Sequence, residues 1–434
     1  MALAAALAGS APITSRPQPA ARGLIRHVVI IIQENRTIDN LFNGFPGANT
    51  AAYGKNSKGE MVRLHDVSLN APYDLSHTHA AFVTQYAQGN MDGFDRTYFA
   101  CKKDAPARAC PDMQTAAYGR VPESEIEPYW DMARNYTLGD DMFETNQGPS
   151  FPSHQYLVSG TSTIADGAAL RVAENPLTPK GETTGGGCDA DPTTSVAVID
   201  RLGSESASVY PCFDRVTLMR EASAAHVTWR YYQAAAGAGL WNAPDAIRSV
   251  RDGDAYGAVV APSAQVLDDI YEGHLADIVW VTPTAAASDH PGVTDGTGPM
   301  WVASIVDAIG ESSYWSDTAI FVTWDDWGGW FDHVTPPVYN SYELGFRVPL
   351  IVISPYAKEG YVSHVQHEYG SILRFTEESF GLPSMHTTDA RADDLADCFD
   401  FKGPIHGFIH IRTTYSPQYF LHQPISNEPP DDDW

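Results

Sequence analysis

The chain is 434 residues long and sets 27 Lys and Arg against 54 Asp and Glu, a formal charge of −27. Such a field repels nucleic-acid backbones and anionic membranes, and a phosphate-bearing substrate would need positive charge supplied locally. With 43% hydrophobic and 19% charged residues the composition is that of a globular protein, and the absence of any run of about 18 apolar residues argues against a transmembrane helix.

Residues 1–25 open with an Ala/Leu run followed by small residues and a Pro/Arg linker. The segment reads either as the remnant of a secretory signal or as a plain leader, and the first reading places the protein in a secreted or periplasmic space. Residues 26–434 read as one domain. Within it, "HVVIIIQ" (27–33), "ADIVWVTP" (276–283), "TAIFVTW" (318–324) and "VPLIVISP" (348–355) lack period-two alternation and are rich in β-branched residues. These are the marks of parallel strands buried on both faces. "GPMWVASIVDAIGES" (298–312) has helical spacing and makes a β–α–β unit with the strands on either side. A further helix is expected within 363–384, where Ile372, Leu373, Phe375 and Phe380 precede a stop at Gly381 and Pro383. The stretch from 160 to 225 is Gly/Thr/Ser/Asp-rich and reads as a loop-rich insertion or cap. The predicted fold class is therefore α/β, a mostly parallel central sheet flanked by helices. Of five cysteines, Cys101 with Cys110 and Cys188 with Cys212 are candidate short-range disulfides, which would leave Cys398 free. No Cys-x-x-Cys offers a thiolate zinc site.

In open α/β sheets ligands bind beyond the carboxyl ends of the strands. The loops there hold Glu34 and Asn35 after the first strand, Asp289 and His290 after the second, and Asp325, Asp326, Asp332 and His333 after the third. Each alone is readily a solvated turn. Together they form a set of oxygen and imidazole donors suited to a divalent cation, which would also compensate adjacent aspartates. Gly328 and Gly329 permit a sharp turn at that point, and Arg36 with Asp39–Phe42 reads as a helix start bracing the Glu34–Asn35 pair. In "GPSFPSHQYLVSGTS", Ser150 precedes Pro152 and has two readings: a helix N-cap, or a hydroxyl nucleophile for phosphoryl transfer. Asp74, His77 and His79 lie in "YDLSHTHAAF", where histidine is suited to donate to a phosphate oxygen or a leaving group.

Taken together, "VVIIIQENRTIDNLF", "DLSHTHAAF…MDGF", "GPSFPSHQYLVSGTS", "SDHPG", "VTWDDWGGWFDHV" and "EYGSILRFTEESFGLPS…DARADDLADCFDF" resemble the bacterial phosphoesterase family of phospholipases C and acid phosphatases, in the alkaline-phosphatase-like superfamily. The resemblance runs from about residue 26 to about residue 402. It implies an alkaline-phosphatase-like sandwich and a divalent ion, Ca²⁺, Mg²⁺, Mn²⁺ or Zn²⁺, held by Glu34, Asn35, Asp325, Asp326 and Ser150. It also implies that Ser150 is the nucleophile and that His77 and His290 lie near the phosphate; His154, Asp289 and His333 are expected close to substrate. The implied partner is a small phosphate ester or a phospholipid. Serine rather than threonine at 150 points to the acid-phosphatase branch. A phospholipase C would need an apolar approach, for which Trp324, Trp327 and Trp330 are candidates. A metal-stabilised binding protein without activity is the alternative of another class.

Overall fold

The computed structural model describes residues 23–424, apart from 104, 107 and 108. The leader expected over 1–25 therefore lies almost wholly outside the described residues. Eight strands form the main sheet: β1 His27–Gln33, β2 Thr137–Gly139, β3 Trp229–Tyr232, β4 Val259–Val260, β5 Ile278–Val281, β6 Thr318–Trp324, β7 Leu350–Ile353 and β8 Tyr361–Ser363. Their order across the sheet is β4-β3-β5-β1-β6-β7-β2-β8. The two longest strands, β1 and β6, lie side by side near the middle, with Val28 to Ile32 of β1 fully buried. That placement is why neither sequence shows alternation.

The fourth expected parallel strand runs the other way. β7 pairs antiparallel with β6, Ile320 opposite Ile353, and antiparallel again with β2. An apolar run encodes burial on both faces, not direction. Direction is set by the connection, and no helix lies between Trp324 and Leu350 to carry a parallel crossover. Every other pairing in the main sheet is parallel. Strands β2, β4 and β8 escape the sequence reading because they are two or three residues long, and β3, as long as β5 and β7, because WRYY lacks their aliphatic run.

Five helices concern the site and its support: α1 Ile38–Leu41, α2 Glu127–Asn135, α3 Ser150–Ser159, α4 Gly298–Gly310 and α5 Tyr369–Phe380. α2 packs against α4, and α3 against α5. α4 is the crossover between β5 and β6, as its spacing predicts. α5 stops at Gly381, which takes the left-handed conformation (φ 68°) required for a closed C-terminal turn. The 160–225 stretch is mostly irregular, with a small antiparallel sheet of its own at Arg171–Val172, Val196–Ile199 and Ala207–Val209. The Cys188–Cys212 disulfide pins this region, Cys101–Cys110 closes the other expected loop, and Cys398 is free and buried. Among the described residues no helix is long and apolar enough to cross a membrane.

Candidate active site

The register of the two central strands builds the site. β1 and β6 run parallel with Gln33 opposite Trp324. The residues that follow each strand therefore emerge side by side, Glu34–Asn35 from one and Asp325–Asp326 from the other. Backbone pairing continues past the strand ends, from Asp325 N–H to Gln33 O (2.9 Å) and from Arg36 N–H to Asp326 O (3.0 Å). Asn35 adopts φ 62°, a left-handed conformation that asparagine tolerates better than most residues. Gly328 lies against it so closely that a Cβ at 328 would sit 2.3 Å from Asn35 O. Arg36 turns away and braces the loops: its guanidinium donates to Asp289 O, Asn40 Oδ1 and Leu69 O, and it stacks on Trp330. The expected helix start is α1, capped by the Thr37 hydroxyl.

Ser150 is the first residue of α3, not its cap; Pro149 holds the N-cap position. Its hydroxyl donates instead to Asp326 Oδ2 (3.3 Å) and Glu34 Oε2 (3.4 Å). One turn later, on the same helix face, His154 places Nε2 3.2 Å from Glu34 Oε1 and 3.7 Å from Asp325 Oδ2. Ser150, His154, Glu34, Asn35, Asp325 and Asp326 are all fully buried. Burial pulls the His154 imidazole down to about 4, against a smaller opposing effect of Asp325.

His77 and His290 face one another, ring centroids 6.0 Å apart. Each directs Nδ1 at a backbone carbonyl, Leu75 O and Pro291 O, both at 2.7 Å. A carbonyl only accepts, so Nδ1 carries the proton of each neutral ring and Nε2 is the exchanging nitrogen. For His77 this fixes the neighbouring amide as well. Asn35 Nδ2 donates to His77 Nε2 (3.2 Å), which turns Asn35 Oδ1 the other way with no hydrogen-bond partner. Asp325 Oδ2 is likewise buried and unpartnered, while Asp325 Oδ1 accepts from Asn35 N and Asp326 N. Orphaned acceptors among clustered carboxylates are costly in a protein alone and suit a cation. Glu34, His154 and Asp325 each offer an atom within 4.8 Å of the others, a spacing at which two carboxylates repel by roughly 3.5 kcal/mol at an effective dielectric of about 20. The residues present thus fit a divalent ion.

Two of the expected substrate neighbours turn elsewhere. Asp289 points into the core, where Oδ2 accepts from Tyr129 Oη and Trp324 Nε1, both at 2.9 Å, and burial raises it to about 6. His333 bonds Asp39 and Asn49, beside an Asp332–Arg347 pair, in a cluster of its own. His79 pairs with Glu205. Trp324, Trp327 and Trp330 are fully buried, with indole N–H donated to Asp289 and Gln85 by the first two, so they build core rather than an apolar approach. The sequence reading passed over Glu144, six residues before Ser150. It is fully buried with Oε2 unpartnered, and burial, then Asp326 and Asp325, push its carboxyl well up. It also passed over Tyr231 and Trp241, which contact His154. Glu144 lies within a stretch already notable for Ser150, whereas Tyr231 sits in a short strand, WRYY, with no aliphatic run to mark it.

A model of the Phosphoesterase family matches residues 25–383. The chain belongs to the phosphoesterase family. Among curated relatives it is 26% identical to the non-hemolytic phospholipase C of Pseudomonas aeruginosa, over 88% of this chain and 58% of that protein. It is 24% identical to phospholipase C A of Mycobacterium tuberculosis, over 88% of this chain and 78% of that one. The chain thus spans little more than half the length of the Pseudomonas relative. An alkaline phosphatase superfamily protein from Vibrio parahaemolyticus aligns over 87% of this phosphoesterase-family chain and 71% of its own, with a TM-score of 0.42 and 12% identity.

Proposed function

We propose that the protein is a metal-dependent phosphoric ester hydrolase in which Ser150 is the nucleophile. The observation that carries this reading is the Ser150 hydroxyl, bonded to two of the carboxylates that would hold the ion. A divalent ion bound by Glu34, Asn35, Asp325, Asp326 and Ser150 would lower the hydroxyl's pKa and offset phosphate charge. Ser150 Oγ attacks phosphorus in line; the Oγ–P bond forms as the bond to the leaving oxygen breaks. The Oγ proton has acceptors in Glu34 Oε2 and Asp326 Oδ2. His290 and, once its Nε2 is released from Asn35 Nδ2 and protonated, His77 carry a proton to the phosphate oxygens or the departing alkoxide. Water then cleaves the phosphoserine and regenerates the hydroxyl.

Two substrate classes follow from different observations. Serine at position 150 favours phosphomonoesters, as in acid phosphatases. Similarity to proteins named phospholipase C favours a phosphodiester in a lipid head group. Comparing turnover of p-nitrophenyl phosphate with that of p-nitrophenyl phosphorylcholine separates them. Exhaustive chelation is expected to abolish both activities and one divalent ion to restore them. Full activity in a metal-free preparation would overturn the reading. The two disulfides support an oxidising compartment, outside the bacterial cytoplasm.

A further inference from the structure

His154 has a surrounding that a hydrogen-bonding role leaves unexplained. Its Nδ1 lies 3.5 Å from Tyr231 Oη, and that hydroxyl commits its one proton to Trp241 O at 2.5 Å. Toward His154, Tyr231 therefore presents a lone pair, and the matching ring atom is a protonated Nδ1. Nε2 faces Glu34 Oε1 and Asp325 Oδ2, an atom with no hydrogen-bond partner, and the three side chains each offer a donor atom within 4.8 Å of the others. Donor atoms converging from the loop after β1, from α3 and from the loop after β6 form a cluster that a divalent cation would fill. An outer partner on Nδ1 that fixes the tautomer is the usual accompaniment of a metal-bound imidazole. The Trp241 ring stacks on His154 at 6.2 Å and 23°, closing the far side.

We propose that His154 Nε2 is itself a ligand of the divalent ion, which gives the site a nitrogen donor and a preference for Zn²⁺, Co²⁺ or Mn²⁺ over Ca²⁺ and Mg²⁺. The inference rests on the metal-dependent reading above and deepens it. Ligands about 2.0–2.1 Å from a zinc ion lie roughly 3.0–3.4 Å from one another; the 3.2 Å separation of Nε2 from Glu34 Oε1 falls inside that range and the 3.7 Å separation from Asp325 Oδ2 lies just beyond it. Ca²⁺ and Mg²⁺ favour oxygen and gain little from imidazole. Ser150 and His154, four residues apart on one helix face, would then bring an oxygen and a nitrogen donor from a single turn of α3.

The test is metal affinity and spectroscopy on the full chain, with His154→Gln as the variant, because glutamine keeps a hydrogen bond to Glu34 available. Wild type is expected to bind Zn²⁺ and Co²⁺ at least about 100-fold more tightly than Ca²⁺. His154→Gln is expected to lose at least about tenfold in Zn²⁺ and Co²⁺ affinity while Ca²⁺ binding changes less than about threefold, and the Co²⁺ ligand-field spectrum to shift. Unchanged Zn²⁺ affinity and an unchanged Co²⁺ spectrum in the variant would overturn the proposal and leave His154 orienting Glu34. Should the variant not fold, pulsed EPR of the Mn²⁺-loaded wild type decides: coupling from a directly bonded imidazole nitrogen supports the assignment, and its absence overturns it. Failure of wild type to bind any of these ions removes the metal-dependent reading itself, an outcome distinct from loss of the His154 ligand alone.

Discussion

Asp325→Asn isolates the electrostatics of the site from its shape. Asn35 N and Asp326 N donate to Asp325 Oδ1 at 3.1 Å and 2.8 Å, and an asparagine oxygen accepts both. The new amide nitrogen would replace Oδ2, the buried atom with no hydrogen-bond partner, and face His154 Nε2 and Glu34. Without an ion, the ionised pair Glu34 and Asp325, under 4.8 Å apart, costs roughly 3.5 kcal/mol at an effective dielectric of about 20. At about 2.1 cal/mol/K of unfolding entropy per residue, that sum corresponds to roughly 4 °C for a chain of this length. Asp325→Asn is therefore expected to melt a few degrees above wild type in EDTA. Wild type is expected to gain stability when a divalent ion is added, and the variant to gain almost none. Differential scanning calorimetry in chelator and in saturating ion reads both. A variant that melts below wild type in EDTA, or that keeps the full ion-dependent rise, would show that the protein alone satisfies Asp325.

Gly328→Ala forces a Cβ to 2.3 Å from Asn35 O at a backbone φ of 60°, so loss of ion binding with only a modest fall in melting temperature is expected from calorimetric titration. His333 is lowered by burial, but its hydrogen bond to Asp39 and that carboxylate's charge outweigh this and leave it above the ordinary 6.5. Its contribution to stability is present in full below about pH 6.5 and lost as pH rises through the folded value, so the His333→Gln deficit in melting temperature should shrink toward alkaline pH. Replacing Cys188 and Cys212 by serine opens a loop with a sequence separation of 24 and is expected to cost about 3 kcal/mol in denaturant titrations.

The parts of the site legible in the sequence were those where chemistry interrupts a buried run. Glu34–Asn35 and Asp325–Asp326 stand out because polar residues follow strands with no solvent face, and the β1–β6 register then makes the two pairs neighbours. The same reasoning expected Asp289 and His333 near substrate, and the structure turns both side chains toward other partners. They occupy the same loops, but partners remote in sequence turn them away: Tyr129 lies 160 residues before Asp289, and Asp39 lies 294 before His333. The direction of β7 was unreadable because burial on both faces writes the same residues in either orientation. Ser150 kept its expected place at a helix start, but backbone geometry at Pro149 made it the first helical residue and directed its hydroxyl to the carboxylates. The link of His154 to Tyr231 and Trp241 was not legible because it exists only once β3 is folded beside β5.

The central claim is that Ser150 acts as a covalent nucleophile beside a bound ion. The most direct test is turnover of an aryl phosphate by Ser150→Ala, measured with the ion saturating and its occupancy matched to wild type. A fall of at least about a thousandfold is expected, in line with losses on removing nucleophiles elsewhere. Near-normal turnover in a variant that holds its metal would contradict the account.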